Sequence, residues 1–329
     1  MKTGTSRILK NSFWAVLAVV LLYFSFKGVD WKDFWTVLTE CRWSLVVLAM
    51  MAGVLAFIIR SMRWRLLLLP EDPDTKLVDC YDGFTVGRLC DFVIPHVGEF
   101  VRCGYVLSPR LTYDKVLGTV VLERVWDIFM LLVITVLLLV FKWADFGSFF
   151  VEKVLEPVSG RLDVSLWWLL VLLAAVVTAG IWILLAFRSR SRLCSKVWGF
   201  MEGLWDGLSS CMKMRRKGLF LFLTAMLWLM FLLMSWFIIK ALPSDLGLTL
   251  VDALFIMLVG SIAGIVPVPG GFGAFHYLVA AALQAVYSVP FETGIIFATL
   301  SHESQAITMI VCGLISYLHQ TLKRRNAAQ

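Results

Sequence analysis

The sequence predicts an all-α polytopic membrane protein with about six full transmembrane helices and two oppositely oriented re-entrant helical hairpins. Three observations predict it. The 329 residues are 60% hydrophobic and only 16% charged, with a mean hydropathy of +0.84, which soluble domains do not reach. The apolar runs are separated by short polar segments in which Lys and Arg gather. Two stretches of apolar sequence are broken by proline and glycine, at Ile94-Pro95-His96-Val97-Gly98-Glu99 and at Val266-Pro267-Val268-Pro269-Gly270-Gly271-Phe272-Gly273. Lipid cannot hydrogen-bond the backbone groups that such breaks release. Non-helical backbone at membrane depth therefore needs protein or a polar cavity around it. A break in each half of a chain points to a transport site.

The elements follow in order. Residues 8–26 read as a first span, retained because no small-residue cleavage site follows it, and Lys2, Arg7 and Lys10 place the N-terminus in the cytoplasm. Residues 27–42 carry mixed charge with Trp31 and Trp35, the composition of an interfacial helix. The second span, 43–65, ends in Arg60, Arg63 and Arg65, which mark its cytoplasmic side. Residues 77–94 begin and end on that same side, so with Pro95–Gly98 they form a hairpin at about 77–110 rather than a crossing. A third span covers about 117–141 and a fourth about 165–187. Residues 188–217 are basic, and Val197, Phe200, Leu204, Trp205 and Leu208 recur at helical spacing, as on a cytoplasmic amphipathic helix. The fifth span is about 218–240. Residues 250–288 make a second hairpin from two short pieces, 251–265 and 273–287, too short for full crossings. The last span, 292–318, ends in Lys323-Arg324-Arg325, so the C-terminus is cytoplasmic as well. The whole is one transmembrane domain, 1–329, with the geometry of an inverted repeat.

Several function classes fall away. The net charge of +7 belongs to cytoplasmic loops rather than to a nucleic-acid surface. Cys41, Cys80, Cys90, Cys103, Cys194, Cys211 and Cys312 show no metal spacing and read as small apolar residues. Four histidines give no metal motif, and no nucleotide loop occurs, so no metal, no cofactor and no catalytic residue is expected.

The charged residues near the breaks are the candidate site. Glu99 and Arg102 share a helix face. A helix starting at Pro95–Gly98 would aim N–H groups at an anion, with Arg102 holding a phosphate in two bonds and Glu99 orienting it. The alternative is an Arg102 anchor paired with Glu99. Glu123, Arg124 and Asp127 open the third span, as a site or as a structural ion pair. Pro267, Pro269, Gly270, Gly271 and Gly273 make a tight second tip, followed by His276 at a helix start. His302 and Glu303 lie in the last span, where a histidine serves proton coupling or packing. Asp79 and Asp82 read as caps of the first hairpin helix.

Three segments carry a family resemblance. They are Asp91-Phe-Val-Ile-Pro95-His-Val-Gly98-Glu99-Phe-Val-Arg102, Glu123-Arg124-Val-Trp-Asp127, and Val266-Pro267-Val-Pro269-Gly270-Gly271-Phe-Gly273-Ala-Phe. In order and spacing the chain resembles the transmembrane, flippase-like domain of lysylphosphatidylglycerol synthases, as a stand-alone member without the soluble synthase domain. The resemblance implies translocation without synthesis, of phospholipids or of aminoacylated or polyprenyl-linked lipids. Two positions depart from the family's pattern. His276 stands where an acidic residue is frequent, and Ser301-His302-Glu303 stands where an arginine is frequent.

The resulting expectation is a lipid translocator of the inner or plasma membrane, not an enzyme, moving an anionic or polyprenyl-linked head group. Without a nucleotide site, transport is passive or ion-coupled. Two rivals remain: a transferase acting on lipid phosphates through Asp79, Asp82, Asp91 and Glu123, and a small-solute or ion transporter. Gly87, Gly98 and Gly118 suit either a homodimer interface or local packing.

Overall fold

The computed structural model describes Tyr23 and residues 31–142, 198–200, 202, 203, 205, 214–243, 246–264, 266 and 268–327. The expected first span, fourth span, outer loop after residue 142 and most of the basic amphipathic stretch lie outside these residues, as does Pro267. The described elements are helical. They are α1 (Trp31–Glu40), α2 (Trp43–Leu68), α3 (Leu77–Asp91), α4 (Gly98–Cys103), α5 (Tyr113–Phe141), α6 (Lys217–Ala241), α7 (Leu250–Ala263), α8 (Ala274–Tyr287) and α9 (Phe291–Ala327), with a 3₁₀ turn at Pro269–Gly271. Among the described residues α2, α6 and the Phe291–Lys323 part of α9 are long and apolar enough to cross a membrane. The chain forms two compact units, Met1–Leu111 with Lys213–Gln329, and Thr112–Met212.

In the first unit α2 and α6 run antiparallel. Arg42, at the start of α2, donates its N–H to the carbonyl of Ala241 at the end of α6 (2.9 Å), and Arg63 lies over Phe220 near the opposite ends. Val46, Ala49, Ala52, Gly53 and Ala56 are buried on α2 at helical spacing. These small side chains let a neighbouring helix approach closely, and Gly53 faces Met234 of α6. The basic cluster at the end of α2 is built into the packing. Arg63 is wholly buried, Arg60 lies over Phe84, and Arg65 donates to the carbonyl of Thr75 at 2.7 Å.

The first proline-glycine break is a helical hairpin. α3 ends at Asp91, the chain turns through Phe92–Val97 with His96 at a φ of 60°, and α4 returns. Glycine decides the crossing. A Cβ on Gly98 would overlap the Gly87 carbonyl oxygen, and one on Gly83 would lie 2.8 Å from the Cβ of Tyr105. The backbones touch because neither glycine carries a side chain.

The second break is also a hairpin. α7 opens with a reciprocal cap: the Thr249 hydroxyl accepts from the N–H of Asp252, whose carboxylate accepts from the N–H of Thr249. The hydroxyl of Tyr287, at the far end of α8, donates to the same carboxylate at 3.0 Å. The tip needs positive φ at Gly270 (61°), Gly271 (78°) and Gly273 (80°), which L side chains rarely adopt. Ser288 ends α8 in the left-handed region, and α9 packs back with Gly294 against Ala280.

α9 then runs antiparallel to α3. Gly313 meets Thr85 and Leu89, and further on His319 and Gln320 reach Asp82 while Lys323 pairs with Asp79. The helix-cap role expected of these two aspartates is corrected here. No side chain caps α3, and Asp82 is buried, where its Oδ2 accepts from His319 and Gln320 at 2.7 Å each. A buried carboxylate at that depth is satisfied by partners from α9, which sequence spacing does not reveal.

The second unit contributes α5, with Thr119 and Glu123 buried on it. Arg124 and Asp127 form an i,i+3 ion pair at 3.2 Å.

Candidate functional site

The two hairpin tips meet. Phe92, just past α3, packs its ring on Phe272 of the second tip with centroids 6.0 Å apart, and a Cβ on Gly270 would lie 3.0 Å from the same Phe92 ring. The two breaks therefore touch at one place, while Val93, Ile94 and His96 of the first turn stay exposed.

Polar groups flank the contact on each side. On the first hairpin Asp91 pairs with Arg88 (3.1 Å) and accepts the N–H of Gly98 at 2.7 Å. This changes the expected role of that helix start. The N–H of Gly98 serves an internal carboxylate rather than a ligand, and α4 has only six residues. Arg102 is 1% exposed, pairs with Glu99 at 2.8 Å and lies 4.7 Å above the Trp64 ring. Burying a charge without partners is costly. The carboxylate and the aromatic face offset that cost, so Arg102 braces the hairpin and holds Glu99 in place. Pro95 is half-buried in the turn and Gly98 is buried at the crossing.

On the second hairpin the Gly270 carbonyl contacts the Nε2 of His302 at 2.9 Å. The His302 ring sits against Phe272 (4.9 Å), Phe275 (5.4 Å) and His276 (5.0 Å). Its Nδ1 lies 3.2 Å from Oε1 of Glu303, and the Nε2 of the buried His276 lies 3.6 Å from the same oxygen. His276 and His302–Glu303 were legible only as separate candidates; the fold makes them one cluster. The absence of metal-ligand spacing did not foretell this, because one histidine comes from α8 and the other from α9. Pro269, Gly270, Gly271 and Gly273 shape the turn that holds the cluster.

Sequence reasoning gave Arg88 no site role and Asp91 one only in the transferase alternative, although both belong to the first tip. Asp91 stands seven residues before Gly98, a separation that a turn of six residues makes legible only once the hairpin is seen. Glu123, Arg124 and Asp127 lie on α5 in the other unit and are described there.

The sequence pattern of the lysylphosphatidylglycerol synthase TM region matches residues 13–314. No curated protein and no solved structure matches the chain. The chain belongs to the family of the lysylphosphatidylglycerol synthase transmembrane region, and it is a membrane protein.

Proposed function

We propose that this family member translocates a phospholipid or another lipid with a polar head group between leaflets, along a polar path beside two re-entrant hairpins. The observation that carries the reading is the tip-to-tip contact of the hairpins at Phe92 and Phe272. α3 has 15 residues and α7 and α8 have 14 each. At 1.5 Å per residue they are about 21–23 Å long, short of a hydrocarbon core of about 30 Å. Tips that end within the bilayer from opposite sides bring polar backbone and side chains to the depth a head group must pass. Both chain termini and the basic loops then face the cytoplasm of a cell membrane.

In this reading Arg88, Asp91 and Glu99 on one hairpin, and the 270–276 tip with His302 and Glu303 on the other, replace the water around the head group. The acyl tails remain in lipid. The transferase alternative loses support because Asp82 and Asp79 are engaged by His319, Gln320 and Lys323.

Reconstituted protein offered a lipid and its tail-less head group separates translocation from solute transport. Movement of the whole lipid with no uptake of the free head group is the expected result. Equal handling of both would contradict it.

A further inference from the structure

We propose that His276, His302 and Glu303 form a binding site for one divalent transition-metal ion of the zinc class. This inference stands on the geometry of the three side chains and does not require the translocation reading.

Hydrogen-bond logic comes first. A backbone carbonyl only accepts, so the 2.9 Å contact with Gly270 places the proton of His302 on Nε2. In the neutral ring Nδ1 is then a bare lone pair. That lone pair lies 3.2 Å from Oε1 of Glu303, an oxygen that in the carboxylate also only accepts. Two acceptors face each other at hydrogen-bond distance. Something positive must lie with them, either a further proton or a cation.

The third donor favours the cation. The Nε2 of His276 points at the same Oε1 from 3.6 Å, and the three ligand atoms lie within 4.8 Å of one another. Zinc bonds of about 2.0–2.1 Å in tetrahedral array separate neighbouring ligand atoms by about 3.3–3.4 Å. The two edges at Glu303 bracket that value. The edge between the rings closes with a small side-chain rotation as the ion enters.

The surroundings supply what such a ligand set needs. The Nε2–H of His302 is held by the Gly270 carbonyl, which fixes the ring and leaves Nδ1 for the metal. Phe272 and Phe275 confine the ring. His276 is 1% exposed while Glu303 is 41% exposed, so the cluster is closed behind and open in front. Two imidazoles and one carboxylate suit zinc and its neighbours rather than magnesium or calcium. Three protein ligands leave a fourth position for water or an anionic oxygen. The ion would also tie the second tip to α9.

The test is metal binding by the full chain, purified in detergent with a tag that contains no histidine. The protein is stripped with chelator, offered zinc, desalted and analysed for metal by mass spectrometry. Cobalt is added in parallel and its visible spectrum read. Wild type is expected to retain one zinc per chain and to give the intense cobalt bands of a tetrahedral site. His276→Ala and His302→Ala should lower affinity at least a hundredfold and Glu303→Gln at least tenfold, while His319→Ala keeps the ion. If the alanine variants do not fold, His302→Asp, which restores an oxygen ligand, and the wild-type cobalt spectrum decide. Folded wild type that retains no ion, or retention equal in the His276→Ala/His302→Ala double variant, would overturn the proposal; in the first case a shared proton bridges His302 and Glu303.

Discussion

Phe92 and Phe272, from opposite halves of the sequence, meet at the tips of two broken helices with ring centroids 6.0 Å apart and planes tilted by 58°. Both rings lie against the Gly270 backbone of the second tip. A tilted aromatic pair contributes about 0.5–1.5 kcal/mol beyond its buried area. A double-mutant cycle with Phe92→Ala and Phe272→Ala, read by detergent-titrated unfolding, should therefore give a coupling of that size. Additive losses would mean that the tips do not depend on one another.

The first hairpin depends on two glycines facing each other. A methyl group on Gly98 would overlap the Gly87 carbonyl, and one on Gly87 would lie 2.6 Å from the Gly98 oxygen. Both obstacles are backbone and cannot rotate away. Gly98→Ala and Gly87→Ala should each destabilise the folded protein by about 1–3 kcal/mol or more. Thermal unfolding followed by size-exclusion chromatography measures this. Gly218→Ala, which meets nothing within 4 Å, is the control expected to behave as wild type.

Asp91 holds the start of α4 by accepting the N–H of Gly98. Asp91→Asn keeps an acceptor oxygen and should cost little in stability. Asp91→Leu removes it and should cost about 1–2 kcal/mol, as a lost helix cap does. Equal losses in the two variants, measured by the same unfolding assay, would assign the effect to the Arg88 ion pair instead.

Much of this fold was legible because lipid leaves few options. Apolar length gave α2 and α6 to within a few residues of their observed ends and gave the start of α9, which runs on to Ala327, and the proline-glycine runs marked the two helix breaks. The candidate site was legible residue by residue but not as an assembly. Glu99 and Arg102 could be paired from i,i+3 spacing, and the structure forms that pair. His276 and His302 could not, because their meeting depends on how α8 folds back on α9. The partners of Asp82 were hidden for the same reason: His319 and Gln320 arrive from the far end of α9. Spacing also gave no hint that Arg63, read as marking a cytoplasmic end, and Arg102, read as a phosphate-holding residue or an anchor, are packed on aromatic rings.

The loop after α2 carries a pH-dependent contact. The Ser108 hydroxyl donates to Asp72 at 2.6 Å and is the main reason that the Asp72 carboxyl titrates below its ordinary 3.8. A depressed carboxyl pKa stabilises the fold fully above the unfolded value, and that stability is lost as pH falls through the folded value. Wild type should therefore lose its advantage over Ser108→Ala once pH drops below about 4, and keep it unchanged from about pH 5 upward. Thermal unfolding across that range checks it. Two curves that stay parallel to the acid end would contradict the assignment.

The most direct test of the central claim is leaflet exchange. Purified protein is placed in liposomes with fluorescent phospholipids and a polyprenyl-phosphate lipid, with and without a proton gradient, and outer-leaflet label is quenched chemically. Quenching beyond the outer-leaflet fraction for at least one lipid, reduced at least tenfold in folded Glu99→Gln protein, is the predicted result. Quenching that stops at the outer-leaflet fraction for every lipid under both conditions would contradict translocation.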